Sequence, residues 1–194
     1  MKLLVGLGNP GPQYRSHRHN VGFMVLDRVH ERALGSEWRE KYAGLVARAV
    51  VAGHELTLLK PQTFMNLSGR SVVRALQQSG LRLSDLLVVH DDLELPFGEL
   101  RLKQGGGHAG HNGLRDIAAT AGSDYARLRV GIGRPTQGAV DQWVLSGFGP
   151  TETPELSGVL DRAAELVEQA VARGVEAMIS SAPKPAKGSG RPKR

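Results

Sequence analysis

The sequence predicts an α/β protein: a single three-layer domain in which a twisted, mixed β-sheet is flanked by helices. Three observations carry this. Short apolar runs alternate with stretches of helical periodicity from Lys2 to Arg173, the pattern of a sheet covered by helices. Paired runs around Gly53-His54, and the polar–apolar alternation of Glu99–Lys103, call for antiparallel strands beside the parallel ones. Finally, the length of 194 residues suits one domain, and a chain of this size buries about 70% of its unfolded surface without staples.

Lys2–Gly6 reads as a buried strand. Asn20 is placed to cap a helix from Val21 to about Leu34, with Phe23, Leu26, Val29 and Ala33 on one face and Gly35 closing it. Ala43–Val51 and Glu55–Lys60 read as strands. Val72, Val73 and Leu76 mark a helix that starts near Ser68 and stops at Gly80. Leu86–His90 is a short apolar strand that ends on Asp91-Asp92, and Glu99–Lys103 is a half-buried one. Asn112 can cap a helix from Gly113 to about Ala121, and Tyr125–Ile132 is a further strand. Glu155–Arg173 repeats Leu156, Val159, Leu160, Ala163, Leu166, Val167, Ala170 and Val171 at helical spacing. The α/β domain is therefore expected over 1–180, with 181–194 a basic, disordered tail whose Pro, Lys, Gly and Ser content cannot build a core.

Composition narrows the chemistry. Without cysteine, disulfides, thiolate metal sites and a cysteine nucleophile are excluded. No apolar stretch approaches the ~20 residues that span a bilayer, and no signal-peptide pattern opens the chain, so a soluble, cytoplasmic protein is expected. Lys184, Lys187, Arg191, Lys193 and Arg194 account for five of the six net positive charges. The body is close to neutral, yet Arg101, Lys103, Arg115, Arg127, Arg129 and Arg134 gather around the glycine-rich region. Such a cluster is either a solvated surface or a phosphate-binding patch.

Polar clusters between apolar runs mark the site. His90-Asp91-Asp92-Leu93 is followed by Gly105-Gly106-Gly107-His108 and Gly110-His111-Asn112-Gly113, acids, imidazoles and an amide among glycines, which is poor core material. Gly6-Leu7-Gly8-Asn9-Pro10-Gly11 satisfies a dinucleotide fingerprint literally. Its prolines disturb the required turn, however, and Asp27 falls inside a helix, so a structured loop exposing Asn9 is the better reading. His19 precedes a helix start, and Asp91 stands at a strand end, where it can orient and charge-stabilise that imidazole. His108 and His111 with His90, Asp91 or Asp92 offer a metal set, but on a loop too pliable to fix ligands. Neither a G-x-S-x-G elbow nor a Walker sequence is present. Asn9, Asn66 and Asn112 each stand at a loop-to-helix junction; as caps they are ordinary, but converging on one cavity they could hold a peptide backbone or an oxyanion. Phe64 and Met65 are core by default, although an exposed Phe64 could stack on a base.

Taken together, Gly6–Gly11, Tyr14, Arg18-His19-Asn20-Val21-Gly22, Thr63–Gly69, His90–Leu93, Gly105–His108 and Gly110–Gly113 resemble the bacterial-type peptidyl-tRNA hydrolase family, in order from Met1 to about Gly149. The resemblance implies a monomeric, single-domain α/β enzyme, without cofactor or metal, that cleaves the ester between a peptide and the 3′-ribose of tRNA. Peptidyl-tRNA is the implied partner, and stalled large ribosomal subunits a further one. By residue match, His19 is the general base and Asp91 its partner, and Asn9 favours N-blocked over free aminoacyl esters. Asn66 and Asn112 bind substrate, with Tyr14 and Phe64 at the tRNA end. Met65, His111, Arg101, Lys103 and Arg129 are supporting candidates. Ala139 departs from the pattern, because the family often carries a basic residue near there. Two other classes compete: a non-catalytic RNA-binding module on the same fold, and a dinucleotide-dependent oxidoreductase.

Overall fold

The structure, a computed structural model, describes residues 1–181. In chain order the elements are β1 (Leu3–Gly6), α1 (Val21–Arg32), β2 (Arg39–Lys41), β3 (Gly44–Val51), β4 (His54–Pro61), α2 (Ser68–Ser79) and β5 (Leu86–Asp92). Then follow β6 (Leu100–Gln104), α3 (Asn112–Ala121), β7 (Ala126–Gly131), α4 (Val140–Val144), α5 (Thr153–Arg173) and α6 (Val175–Ser181). The strands form one sheet in the order β2-β3-β4-β1-β5-β7-β6. Its centre is parallel, with β1 between β4 and β5 and β7 beside β5. Antiparallel strands close both edges, β3 and β2 on one side and β6 on the other.

Strand periodicity divides the core. Leu4, Leu87 and Val89 point to the face covered by α1 and α5, where Val25, Leu26, Val29, Ala163 and Val167 are buried. Leu3, Val5 and Val88 point to the opposite face, against Val72, Leu76, Leu114 and Ile117 of α2 and α3. Each such Leu or Val is worth about 1.5–3 kcal/mol of transfer free energy relative to exposure, so the alternation fixes which helices lie on which face.

Close packing at the ends of β1 and β5 matters for the site. A Cβ on Gly22 would lie 2.5 Å from the Leu7 nitrogen and 2.5 Å from the Val89 oxygen. Only glycine lets the first turn of α1 press onto the sheet there. That contact seats the residues just before α1 over the carboxyl ends of β1 and β5, a topological switch point where α/β sheets bind ligands.

Several local expectations are corrected. Asn20 holds the N-cap position of α1 as expected, but its side chain makes no cap bond; it pairs with the Asn9 backbone, accepting from Asn9 N and donating to Asn9 O, both at 2.9 Å. Asn112 is the first residue of α3, and His111 is the cap. The turn between β3 and β4 is Ala52-Gly53, at φ +47° and +78°, so His54 already belongs to the strand. Phe23 is half-buried rather than core, its ring against Gly8. Short β2, α4 and α6 carry too little periodicity to be read in advance. The expected basic tail from Ala182 lies outside the described residues.

Candidate active site

His19 sits in a 3-10 turn, Arg18–Asn20, that runs into α1. Asp91 is the penultimate residue of β5, and His111 caps α3. The three elements converge on one carboxylate oxygen. The His19 Nδ1–H donates to Asp91 Oδ1 at 2.8 Å, and the His111 Nε2–H donates to the same oxygen at 3.0 Å. The His19 and His111 ring centroids are 4.9 Å apart. With Nδ1 engaged, His19 keeps Nε2 as its lone-pair nitrogen in a residue that lines a cavity of about 400 Å³.

The tautomer of His111 is set by the helix it caps. Its Nδ1 accepts from the backbone N–H groups of Gly113 and Leu114, at 3.1 and 3.3 Å, which satisfies orphan donors of α3. The proton therefore resides on Nε2, facing Asp91. This bears on metal binding. Among the described residues, His19, Asp91 and His111 are the group whose ligand atoms all lie within 4.8 Å of one another. Coordination through His111 Nε2 would require an imidazolate or the loss of the cap, so this donor set fits a divalent ion poorly. His108 and His90 do not join it: His108 Nδ1 accepts from Gly110 N, and His90 Nδ1–H donates to Asp91 O.

Burial alone would lower the pKa of His19, but the Asp91 charge and hydrogen bond outweigh it and raise the value above 6.5. Burial opposes the charge on Asp91, yet the two imidazoles hold its pKa well below the usual carboxylate range. Burial, then the neighbouring His111, pushes His90 down to about 3, and it is neutral at physiological pH. The arrangement is thus a buried carboxylate supporting one imidazole whose free nitrogen meets a cavity, the geometry of general-base chemistry.

Comparison with known proteins gives the family. The sequence model described as peptidyl-tRNA hydrolase matches residues 3–189. A peptidyl-tRNA hydrolase of Geotalea daltonii is 50% identical over 181 residues, covering 93% of this chain and 95% of the relative. That of Geobacter sp. (strain M21) is 52% identical over 180 residues, covering 92% and 96%. The chain belongs to the peptidyl-tRNA hydrolase family. The crystal structure of an Arg119Gln mutant of peptidyl-tRNA hydrolase from Acinetobacter baumannii superposes with a TM-score of 0.86 at 36% identity, over 96% of this chain and 97% of that one. Uridine phosphorylase from Vibrio fischeri reaches only 0.52 at 11% identity, a likeness of fold alone.

In this peptidyl-tRNA hydrolase family member the candidate amides stand on three loops that meet at Met65, whose N–H is bonded to Asn9 and whose sulfur packs at Gly113, beside Asn112. Asn112 lines the His19 cavity, Asn9 lines a second cavity, and Asn66 is exposed outside both. Asn9 is also less open than expected, 8% exposed. Its Oδ1 accepts from Met65 N at 2.8 Å, a bond that ties the β1 loop to the residue before Asn66 and leaves the Asn9 amide N–H groups as the free half. Met65 is buried, whereas Phe64 is 56% exposed, with Tyr14 edge-on to its ring at 6.5 Å between centroids.

The basic cluster is largely committed. Arg127 is buried and donates to the carbonyls of Gly106 and Gly107, holding the glycine loop in place. Arg129 pairs with Asp92 at 2.6 Å, Arg101 with Glu99 at 2.7 Å, and Arg134 with Glu94. Lys103 is exposed and lines the His19 cavity along with Arg129.

Two contributors were not read from the sequence. Arg18, beside His19, is 2% exposed and forms a bidentate pair with Glu152. Its guanidinium stacks 3.6 Å from the Trp143 ring centroid. In addition, Val140, Asp141 and Val144 of α4 close one side of the His19 cavity. Both arise from contacts more than a hundred residues apart, for which no local pattern exists.

Proposed function

We propose that this chain hydrolyses the ester joining a peptide to the 3′-ribose of tRNA, with His19 as general base and Asp91 as its electrostatic partner. The activity follows from the family; the roles rest on geometry. His19 Nε2 takes a proton from a water as its oxygen forms a bond to the acyl carbon. Asp91 stabilises the resulting imidazolium without itself accepting the proton. As the carbon–O3′ bond breaks, the imidazolium returns the proton to the ribose oxygen, leaving a peptide acid and free tRNA. The oxyanion needs uncharged donors. Asn112, at the start of α3 and with no side-chain hydrogen bond among the described residues, is the candidate in the cavity; Asn66, exposed and next to Met65, is a second.

Asn9 discriminates on the acyl side. An amide lies just beyond the ester in an N-blocked substrate, where a free aminoacyl ester carries an ammonium. The neutral Asn9 amide suits the former and leaves the latter without a countercharge. Lys103 and Arg129 are the phosphate contacts on the RNA side, Arg129 through an exchange of its bond to Asp92.

The observation that carries this reading is the shared Asp91 Oδ1 with His19 Nε2 left free. A protein serving only to bind RNA has no use for a buried, charge-stabilised base. The test is peptide release from N-acetyl-aminoacyl-tRNA. Turnover is expected to persist after exhaustive chelation; tRNA binding without release would leave the RNA-binding module as the correct reading.

A further inference from the structure

Two cavities flank the loop that follows β1, and only the first contains His19. Asn9 and Asn20, joined by their pair of hydrogen bonds, both line the second. Consecutive residues therefore serve opposite sides: His19 lines the first cavity and Asn20 the second. The second, of about 670 Å³, runs from Asn9 across Phe23, Trp38 and Lys60 to Gln62, a size typical of ligand sites.

Lys60 is the unusual residue here. It lies at the end of β4 with only 11% of its side chain exposed, where lysine is rarely found. Its ammonium is held by Asp27 at 2.5 Å and sits 4.2 Å from the Trp38 ring centroid. An ammonium has three donors, and among the described residues only Asp27 takes one, so two remain for a ligand. Asp27, with half its side chain exposed, keeps an oxygen free beside them. A donor and an acceptor thus stand side by side against aromatic walls. That pairing matches a peptide group, which offers a carbonyl and an N–H together. A phosphodiester offers acceptors only; Arg15 and Lys60 would suit it, but it would leave the acceptors of Asp27 and Glu31 without a donor.

We infer that this second cavity is a subsite for the peptide portion of the substrate, beyond the amide met by Asn9, with Lys60 and Asp27 as its hydrogen-bonding pair. This rests on the placement of the acyl side along Asn9 in the function proposed above. Extended chain advances about 3.3–3.6 Å per residue, so residues beyond the first would run along the Asn9–Pro12 wall into this space. Substrates with several residues should gain from the cavity; N-acetyl-aminoacyl esters should not.

The test compares kcat/KM for N-acetyl-aminoacyl-tRNA and N-acetyl-tetrapeptidyl-tRNA in the unaltered protein and in Lys60→Met. The variant should lose about tenfold or more on the longer substrate, the scale of a hydrogen bond to a charged group, and less than about twofold on the shorter. An unchanged ratio of the two overturns the subsite, while hydrolysis itself, if retained, leaves the general-base reading standing. A measurement on the unaltered protein guards against a poorly folded variant. Millimolar N-acetyl-tetrapeptide amide should shift the indole N–H resonance of Trp38 and spare that of Trp143, whose indole N–H donates to the Gly133 carbonyl. No shift at Trp38, or a shift produced by a CCA trinucleotide and not by the peptide, also overturns it.

Discussion

At the scale of single residues, protonation governs the site. The pKa of His19 is raised above 6.5 because Asp91 outweighs burial, and a general base works only when unprotonated. The acid limb of kcat/KM should therefore have its midpoint above 6.5, the ordinary imidazole value. Asp91→Asn removes the charge and should move that midpoint down while lowering turnover; an unmoved limb would detach Asp91 from His19. The same shift has a stability sign. With its folded value raised, His19 contributes stability that is fully present below the unfolded value of 6.5 and lost as pH rises through the folded one. Asn9→Asp makes a separate prediction. It supplies the countercharge that a free ammonium lacks, so activity on aminoacyl-tRNA should rise relative to N-acetyl-aminoacyl-tRNA. An equal ratio in parent and variant would remove Asn9 from discrimination.

Between elements, the His19 turn is held from two sides. Gly22 lets α1 press onto β1 and β5, and Arg18 anchors the turn to the start of α5 through Glu152 and to α4 through Trp143. Glu152→Gln leaves a nearly fully buried guanidinium without its counterion, so it should destabilise the fold by about 3 kcal/mol, read from urea unfolding. A loss within about 0.5 kcal/mol would mean that stacking on Trp143 suffices. Elements of this kind divide the legible from the illegible. The strands β1, β3, β4, β5, β6 and β7 and the helices α1, α2, α3 and α5 were readable because each carries an apolar run or repeats an apolar face. The caps were not. Asn20 and Asn112 are good capping residues by type, yet one is recruited by the Asn9 loop and the other displaced by His111, whose ring also reaches Asp91. A three-dimensional demand outweighed local preference at both places, and both are in the site.

Across the whole molecule, most of the net charge and the proposed catalytic group are separated along the chain. Five of the six net positive charges fall in residues 182–194, while the body supplies His19, Asp91 and His111. Removing 182–194 should leave kcat nearly intact and flatten the dependence of log Kd for tRNA on log salt, because fewer counterions are released on binding. Collapse of hydrolysis on a short aminoacyl-oligonucleotide would instead make the tail part of the site. The loops proposed to carry the chemistry were legible as clusters of polar residues, and the pairing of His19 with Asp91, a 2.8 Å hydrogen bond in the structure, was expected from them. Their grouping was not, since it depends on which way each side chain turns from its loop: Asn9 Oδ1 accepts from Met65 N, beside Asn66, while Asn112 lines the His19 cavity. Sequence reports the residue types at a strand end but not the side of a loop each will face. The central claim is that the free nitrogen of His19 activates the attacking water. Single-turnover hydrolysis of N-acetyl-aminoacyl-tRNA by His19→Ala tests it most directly. The rate should fall by about 10²–10⁴-fold with tRNA affinity largely kept; a rate equal to that of the unaltered protein would contradict the role of His19 as the base.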